Sequence, residues 1–253
     1  MKVIFIGTAG SYISINRSYP AILINEDLLL DCGEGTTQKL LKINAIDKIS
    51  TICISHLHND HYLGLFSLLW YYMLSGRTHD LEIIGPPKIK NTIDKILDLI
   101  NTTIGMRSAF NLNYTELKET DELQTINRKY EINAIQVDHS IIAFAYRVEE
   151  NGKCICYSGD TAPSQNLIKL AESCDLFICE ATLPNKLKNV AHKLGHSTPY
   201  DLARMAIESK SKKVVMFHIA TTFIKQIDDF KRQAEEELNN NVIIAKDLME
   251  IKI

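Results

Sequence analysis

"SHLHNDHYLG", residues 55–64, places His56, His58, Asp60 and His61 within six positions, directly after the apolar run "ISTICIS". Crowding titratable groups beside a strand is costly unless something compensates their charge. A bound cation is the usual compensation, because it stabilises carboxylate and neutral imidazole together. The remaining ligands have to come from elsewhere in the chain.

The chain has 253 residues, with 28 basic and 31 acidic side chains and a net charge of -3. That length suits a single domain, 1–253, with one large core. The charge balance excludes a global field toward nucleic acid or anionic lipid, so any polyanion site is local. Cys32, Cys53, Cys154, Cys156, Cys174 and Cys179 lie in or beside apolar runs with no CxxC pair. They read as small core residues of a reducing compartment. The leading apolar stretch of "MKVIFIGTAGSY" is too short for a membrane span and breaks at Gly7 and Gly10, so a cytoplasmic protein without a membrane segment is expected.

Short apolar runs bounded by Gly, Asn and Asp read as strands: "KVIFIG", "PAILIN", "DLLLDCG", "ISTICIS" and "LEIIGPP" in the first part, then "EINAIQVDHS", "IAFAYRVEE", "KCICYSGDT", "DLFICEAT" and "KVVMFHIA". Helical spacing marks "TTQKLLKI", "YLGLFSLLWYYMLSG", "KIKNTIDKILDLINTT", "SQNLIKLAES", "TPYDLARMAIES" and "FIKQIDDFKRQAEEEL". Strands and helices alternate in two rounds, and a titratable residue repeatedly stands where a strand stops. An α/β layout follows, with a site along one edge of the sheets.

Those strand-end residues are His139 in "VDHS", Asp160 in "SGDT" and His218 in "MFHI". With His56, His58, Asp60 and His61 they make seven N and O donors and no thiolate, a set suited to two zinc-like ions sharing one carboxylate; manganese and iron accept the same donors. A solitary histidine on an apolar strand is ordinarily a hydrogen-bonded core residue. Seven donors in this order are not explained that way.

"HLHNDH" fits an HxHxDH signature, and the chain resembles the ribonuclease Z (tRNA 3′-processing endonuclease) branch of the metallo-β-lactamase superfamily. "FIGTAGS", "NRSYPAILI", "LLLDCGEGTTQKLL", "IIGPPKIK", "VDHSIIAFAYRV", "YSGDTAPS", "CEAT" and "GHST" are similar to segments of that branch, in its order. The resemblance implies a metallo-β-lactamase-like αβ/βα four-layer sandwich. It also implies that His56, His58 and His139 hold one metal, that Asp60, His61 and His218 hold the other, and that Asp160 bridges them. Asp60 would orient or deprotonate the attacking water, and Glu180 with His196 would form the carboxylate–histidine pair that protonates the leaving oxygen. Precursor tRNA as substrate, removal of its 3′ trailer and a homodimer are further implications.

The departures are specific. Cys179 stands where the family writes histidine before Glu180, and "HIATTF" supplies neither the serine nor the arginine usual after the last metal histidine. Only 21 positions separate His139 from Asp160, so the long tRNA-gripping arm has no place there. These departures keep open a hydrolase of a small phosphodiester, lactone or thioester on the same metals, and a metal-stabilised RNA-binding protein with little catalysis. Among other residues, Arg17 is a loop candidate for substrate contact, and His192 an alternative proton donor in the loop with His196. Lys186, Lys188 and Lys193 form either a solvated face or a phosphate contact. Ser197 or Thr198 is expected to cap a helix opened by Pro199.

Overall fold

Each half of the chain builds one sheet in the computed structural model, except that the last strand returns to the first sheet; residues 1–102, 110–238 and 241–253 are described. The first half runs β1 (Lys2–Gly7), β2 (Ala9–Gly10), β3 (Ala21–Ile24), β4 (Leu28–Leu30), α1 (Thr36–Lys42), β5 (Thr51–Cys53), α2 (Asn59–Tyr62), α3 (Gly64–Ser75), β6 (Leu81–Gly85), α4 (Ile89–Leu99) and β7 (Leu112–Glu116). The second runs β8 (Gln124–Asn127), β9 (Glu131–Val137), β10 (Ala143–Glu150), β11 (Lys153–Tyr157), α5 (Gln165–Leu170), β12 (Leu176–Glu180), α6 (Lys188–Lys193), α7 (Pro199–Glu208), β13 (Val214–Phe217), β14 (Ile219–Ala220), α8 (Ile227–Leu238), β15 (Val242–Ile244) and β16 (Glu250–Lys252). One sheet has the order β16-β1-β3-β4-β5-β6-β7 and the other β15-β13-β12-β11-β10-β9-β8, while β2 and β14 form a separate parallel pair.

Burial explains why the strand sequences are continuous apolar runs rather than alternating ones. Between the sheets, Phe5, Ile22, Leu30 and Cys53 belong to one solvent-free cluster with Phe144, Tyr146, Tyr157 and Phe217. The opposite face of the first sheet packs Ile6, Leu23, Ile52 and Ile83 with Leu40, Leu65, Leu69, Ile89 and Ile93 of α1, α3 and α4. The second sheet packs Ala145, Cys156 and Phe177 with Leu167, Leu202, Met205 and Phe230 of α5, α7 and α8. The layers are helix, sheet, sheet, helix, the expected αβ/βα sandwich. On α3 Tyr72 is buried with its hydroxyl donating to Ile46 O, whereas Trp70 and Leu74 are exposed.

Strand direction places the site. β4 and β5 run parallel, as do β11, β12 and β13, and β9 and β11 run the same way because both are antiparallel to β10. The residues that follow the carboxyl ends of these strands are therefore brought to one edge. The two sheets are stitched there: Phe144 N donates to Ser55 O at 2.9 Å and the Tyr146 hydroxyl to Ile54 O at 2.7 Å.

Several expectations are corrected. β7 and β8 are additional edge strands whose half-exposed, polar sequences "LNYTE" and "QTIN" carry no apolar signal. "PNKLKNVAHK", read as a loop, folds into a 3-10 turn, Asn185–Leu187, and α6. "FIKQIDDF" begins as a 3-10 turn, Thr221–Gln226, before α8, and Thr103 of the helix expected around α4 lies outside the described residues. Cys154 and Cys174 are bonded, with Cα atoms 5.2 Å apart, against the reading of all six cysteines as unpaired. Pairing of Ile155 with Leu176 brings the starts of β11 and β12 side by side, and no short motif encodes that proximity. Cys32, Cys53, Cys156 and Cys179 are free and buried. Among the described residues no helix is long and apolar enough to cross a membrane.

Thr198 caps α7. Its hydroxyl accepts from Asp201 N, Asp201 Oδ2 accepts from Thr198 N at 3.0 Å, and Pro199 occupies the first turn. Thr198→Ala is expected to cost about 1 kcal/mol, read as a lower urea midpoint with an unchanged slope.

Candidate metal centre

The structure gathers all seven donors named from the sequence. His58 Nδ1 lies 3.1 Å from His56 Nε2 and 3.0 Å from His139 Nε2, which defines one triad. Asp60 Oδ2 lies 3.7 Å from His61 Nε2 and 3.5 Å from His218 Nε2, which defines a second. Asp160 sits between them, with Oδ2 3.8 Å from His56 Nε2 and 3.3 Å from His61 Nε2.

Hydrogen bonds behind the rings decide which nitrogen faces inward. Nδ1 of His61 donates to Asp31 (2.7 Å), that of His139 to Gly195 O (2.7 Å), that of His56 to Ser55 Oγ (3.0 Å) and that of His218 to Thr182 Oγ1 (2.9 Å). The two hydroxyls can accept because they pass their own protons to Asp31 (2.8 Å) and Glu180 (2.7 Å). Each of these four rings is thereby protonated on Nδ1 and turns Nε2 toward the centre.

Converging lone pairs repel one another unless a cation lies between them. His61 Nε2 and Asp160 Oδ1 are both buried without any hydrogen-bond partner, which is how ligand atoms stand before an ion is counted. Tetrahedral coordination at 2.0–2.1 Å puts ligand nitrogens roughly 3.3 Å apart, close to the separations in the first triad. The residues fit divalent cations, and a thiolate-free N/O set admits zinc, manganese or iron.

Electrostatics agree. Burial holds His56 well below the usual imidazole range, reinforced by neighbouring His61, and burial likewise lowers His58 and His139, so these three rings stay neutral. At His61 burial again acts downward, but the carboxylates of Asp160 and Asp31 outweigh it and hold the ring well above that range. Asp160 is pushed up by burial yet held well below the usual carboxylate range by His218 and His61. Positive charge is stabilised between the two triads.

Beside the triads, His196 stacks on His218, with ring centroids 5.8 Å apart and planes 18° apart, and meets His139 edge-on at 5.1 Å. Its side chain is 18% exposed. Glu180 is fully buried: Oε1 accepts from Thr161 N and His196 Nδ1, both at 2.8 Å, and Oε2 from Thr182 N, Thr182 Oγ1 and Ser197 N. With five donors on it, Glu180 is fixed in place and orients His196. Burial lowers the His196 pKa, but Glu180 prevails and lifts it to about 9.

Asp31 was missed. It is buried in the left-handed region (φ 57°) and accepts from Ser55 N, Ser55 Oγ, His61 Nδ1 and the Tyr157 hydroxyl, at 2.6 to 2.8 Å. The available signal was a carboxylate closing the apolar run "LLLD", where only strand punctuation had been read. Thr182 was missed in the same way, as the last residue of "CEAT".

Other candidates lie apart from the chemistry. His192 Nε2 is bound to Asp201 Oδ2 at 2.8 Å, within the cap of α7, and its ring lines a cleft with His139. Lys188 is held by Asp201 (3.5 Å) and the face of Tyr200 (4.4 Å), whereas Lys193 lines an open cleft of about 200 Å³ with His139 and Ser140. Cys179 points into the helix-side core and touches none of the triads. Arg17, expected on an exposed loop, is buried against backbone carbonyls. Gly7 and Gly10 cradle nothing: a Cβ would lie 1.8 Å from Tyr19 O and 2.3 Å from His218 O respectively, so both serve close backbone approach.

A family model described as "Beta-lactamase superfamily domain" matches residues 26–219. The ribonuclease Z of Methanococcus aeolicus is 31% identical over 316 aligned residues, covering 99% of this chain and 97% of the relative. That of Picrophilus torridus is 27% identical over 308, covering 100% and 96%. The crystal structure of human tRNase Z, short form, superposes with a TM-score of 0.83 at 28% identity, covering 100% of this chain and 99% of that one. A metallo-β-lactamase fold protein from Bacillus subtilis also gives 0.83, at 20% identity, and supports the fold alone.

Asp31→Asn keeps the shape but offers one acceptor oxygen, and two unwanted donors, where four donors converge. Divalent-cation affinity is expected to fall by about 10- to 100-fold, measured by competition against a chromogenic chelator on protein shown to be folded.

Proposed function

The chain belongs to the β-lactamase superfamily and, within it, to the ribonuclease Z family, and on that footing we propose that it is a metal-dependent endoribonuclease that removes the 3′ trailer from precursor tRNA and leaves a 3′-hydroxyl. The observation that carries this reading is the His196–Glu180 pair set against the two triads. Metal donors alone would serve any hydrolase of this fold. A phosphodiester with an alkoxide leaving group also needs a proton, and this pair is built to deliver one.

In this reading, residues 1–253 form one domain, His56, His58 and His139 would hold one cation, Asp60, His61 and His218 would hold the other, and Asp160 would serve both. The cations are two zinc ions, with manganese or iron as substitutes. When bound, they would acidify water and neutralise charge on the phosphoryl oxygens. Asp60 is raised by burial but kept ionised by His218 and His61, so its carboxylate can orient the attacking water and take its proton. His196, its Nδ1–H fixed on Glu180, presents Nε2 to the departing 3′ oxygen and gives up a proton as the P–O bond breaks. General acid help of this kind contributes roughly 10²- to 10⁴-fold.

The protein would act in the cytoplasm as a homodimer in which one subunit grips the tRNA body while the other cuts. Trp70 and Leu74, exposed on α3, suit a face covered by a partner.

One observation favours a second reading, a hydrolase of a small phosphodiester. β10 and β11 join through Asn151 and Gly152 alone, both with positive φ and with Glu150 paired to Lys153. No arm extends from that turn, and alignments of 308 and 316 positions against 253 residues leave the relatives with segments that this chain lacks.

The two readings separate in one assay. Zinc- or manganese-loaded protein should cut an end-labelled precursor tRNA at the trailer junction, lose that activity with chelator or Asp60→Ala, and lose about 10²-fold or more in kcat with His196→Ala. Turnover of a chromogenic diester with the tRNA left intact would establish the small-diester reading instead.

A further inference from the structure

Arg17 lies one residue from a metal donor without touching it. His218 links β13 to β14 with φ 54°, in the left-handed region that residues bearing a side chain seldom adopt. The turn takes the chain off the large sheet at Phe217 and lays Ile219 and Ala220 alongside Ala9 and Gly10 of β2. It is held on one side by Thr182, whose hydroxyl oxygen accepts from His218 Nδ1 (2.9 Å) and whose carbonyl accepts from Ala220 N (3.1 Å). On the other side Gly10 allows His218 O to approach where any Cβ would clash.

The Arg17 guanidinium closes this arrangement. It is 9% exposed, donates from Nη1 to Ile219 O (3.2 Å) and from Nη2 to Thr8 O, and from Nε to Thr8 Oγ1 (3.2 Å). Thr8 is anchored in turn by Asp247, which also accepts from Ser18 N. A planar fork bridges the two carbonyls, and they come together only when β14 lies along β2, hence only when His218 keeps its turn. Lysine puts its three donors on one compact nitrogen and has no Nη1–Nη2 fork, so it does not reproduce that two-nitrogen bridge.

We propose that Arg17 is a positioning residue for His218, setting the cation affinity of the Asp60–His61–His218 position while leaving the His56–His58–His139 position unchanged. The selectivity follows from placement, because Arg17 touches none of the elements that carry the first triad. The inference rests on the reading that each triad holds a cation.

The test is cobalt(II) titration of metal-free protein by visible absorption, with zinc competition, for wild type, Arg17→Met, Arg17→Lys and Gly10→Ala, each shown to be folded by circular dichroism and thermal melting. Wild type should take two equivalents. Arg17→Met should keep one at wild-type affinity and bind the second about 10- to 100-fold more weakly. Arg17→Lys should fail to restore it, and Gly10→Ala should give the same split by displacing the His218 carbonyl. Unchanged affinities in Arg17→Met, or a parallel loss of both equivalents, would overturn the proposal. If Arg17→Met does not fold, Arg17→Lys decides by the same split. Long-range ¹H–¹⁵N imidazole spectra of the metal-free protein add an independent readout, in which His218 should shift while His56, His58 and His139 stay put. If wild type takes fewer than two equivalents, the two-cation reading fails and these spectra alone decide the role of Arg17, an unmoved His218 counting against it.

Discussion

Lone pairs of several imidazoles turned toward one point at the junction of two sheets are the constraint on which the rest of the structure depends. Each ring except His58 is locked from behind by an acceptor: Asp31, Ser55, Thr182 or a backbone carbonyl. Neutral rings and ionised carboxylates can share a dry space only around a cation, and the orphaned atoms of His61 and Asp160 lie in that space. Fixing the rings from behind means that a cation finds its ligands already oriented.

The scaffold meets this demand by close backbone approach and by local strain. A Cβ on Gly64 would fall 1.9 Å from Gly33 O, so the start of α3 can lie against the loop after β4 only with glycine there. His218 and Asp31 both adopt positive φ at the ends of strands. Strain of this kind costs roughly 1–3 kcal/mol per residue, and the buried hydrogen bonds around each offset it. The ion pairs at the surface, such as Lys90 with Asp94, have no part in this and contribute little.

The triads and the His196–Glu180 pair lie along the stitched edge of the sheets, where both halves of the chain supply residues. Beyond that edge this chain is economical, with a two-residue hairpin between β10 and β11. Lys193 lines the cleft beside His139.

Much was legible in the sequence because it is local. Apolar runs marked the strands, helical spacing marked Ile89, Ile93 and Leu97, and a polar residue at each strand end identified the donors that the parallel strands then bring to one edge. The sequence by itself therefore determined the α/β layout and the types and order of the site residues. Tertiary structure alone decided how they are held. Asp31 meets Tyr157, Arg17 meets Ile219, and Cys154 meets Cys174, pairs separated by 20 to 202 positions that leave no periodic trace. A buried polar group must find a partner wherever the chain brings one, and which partner arrives depends on strand pairing rather than on neighbours in sequence.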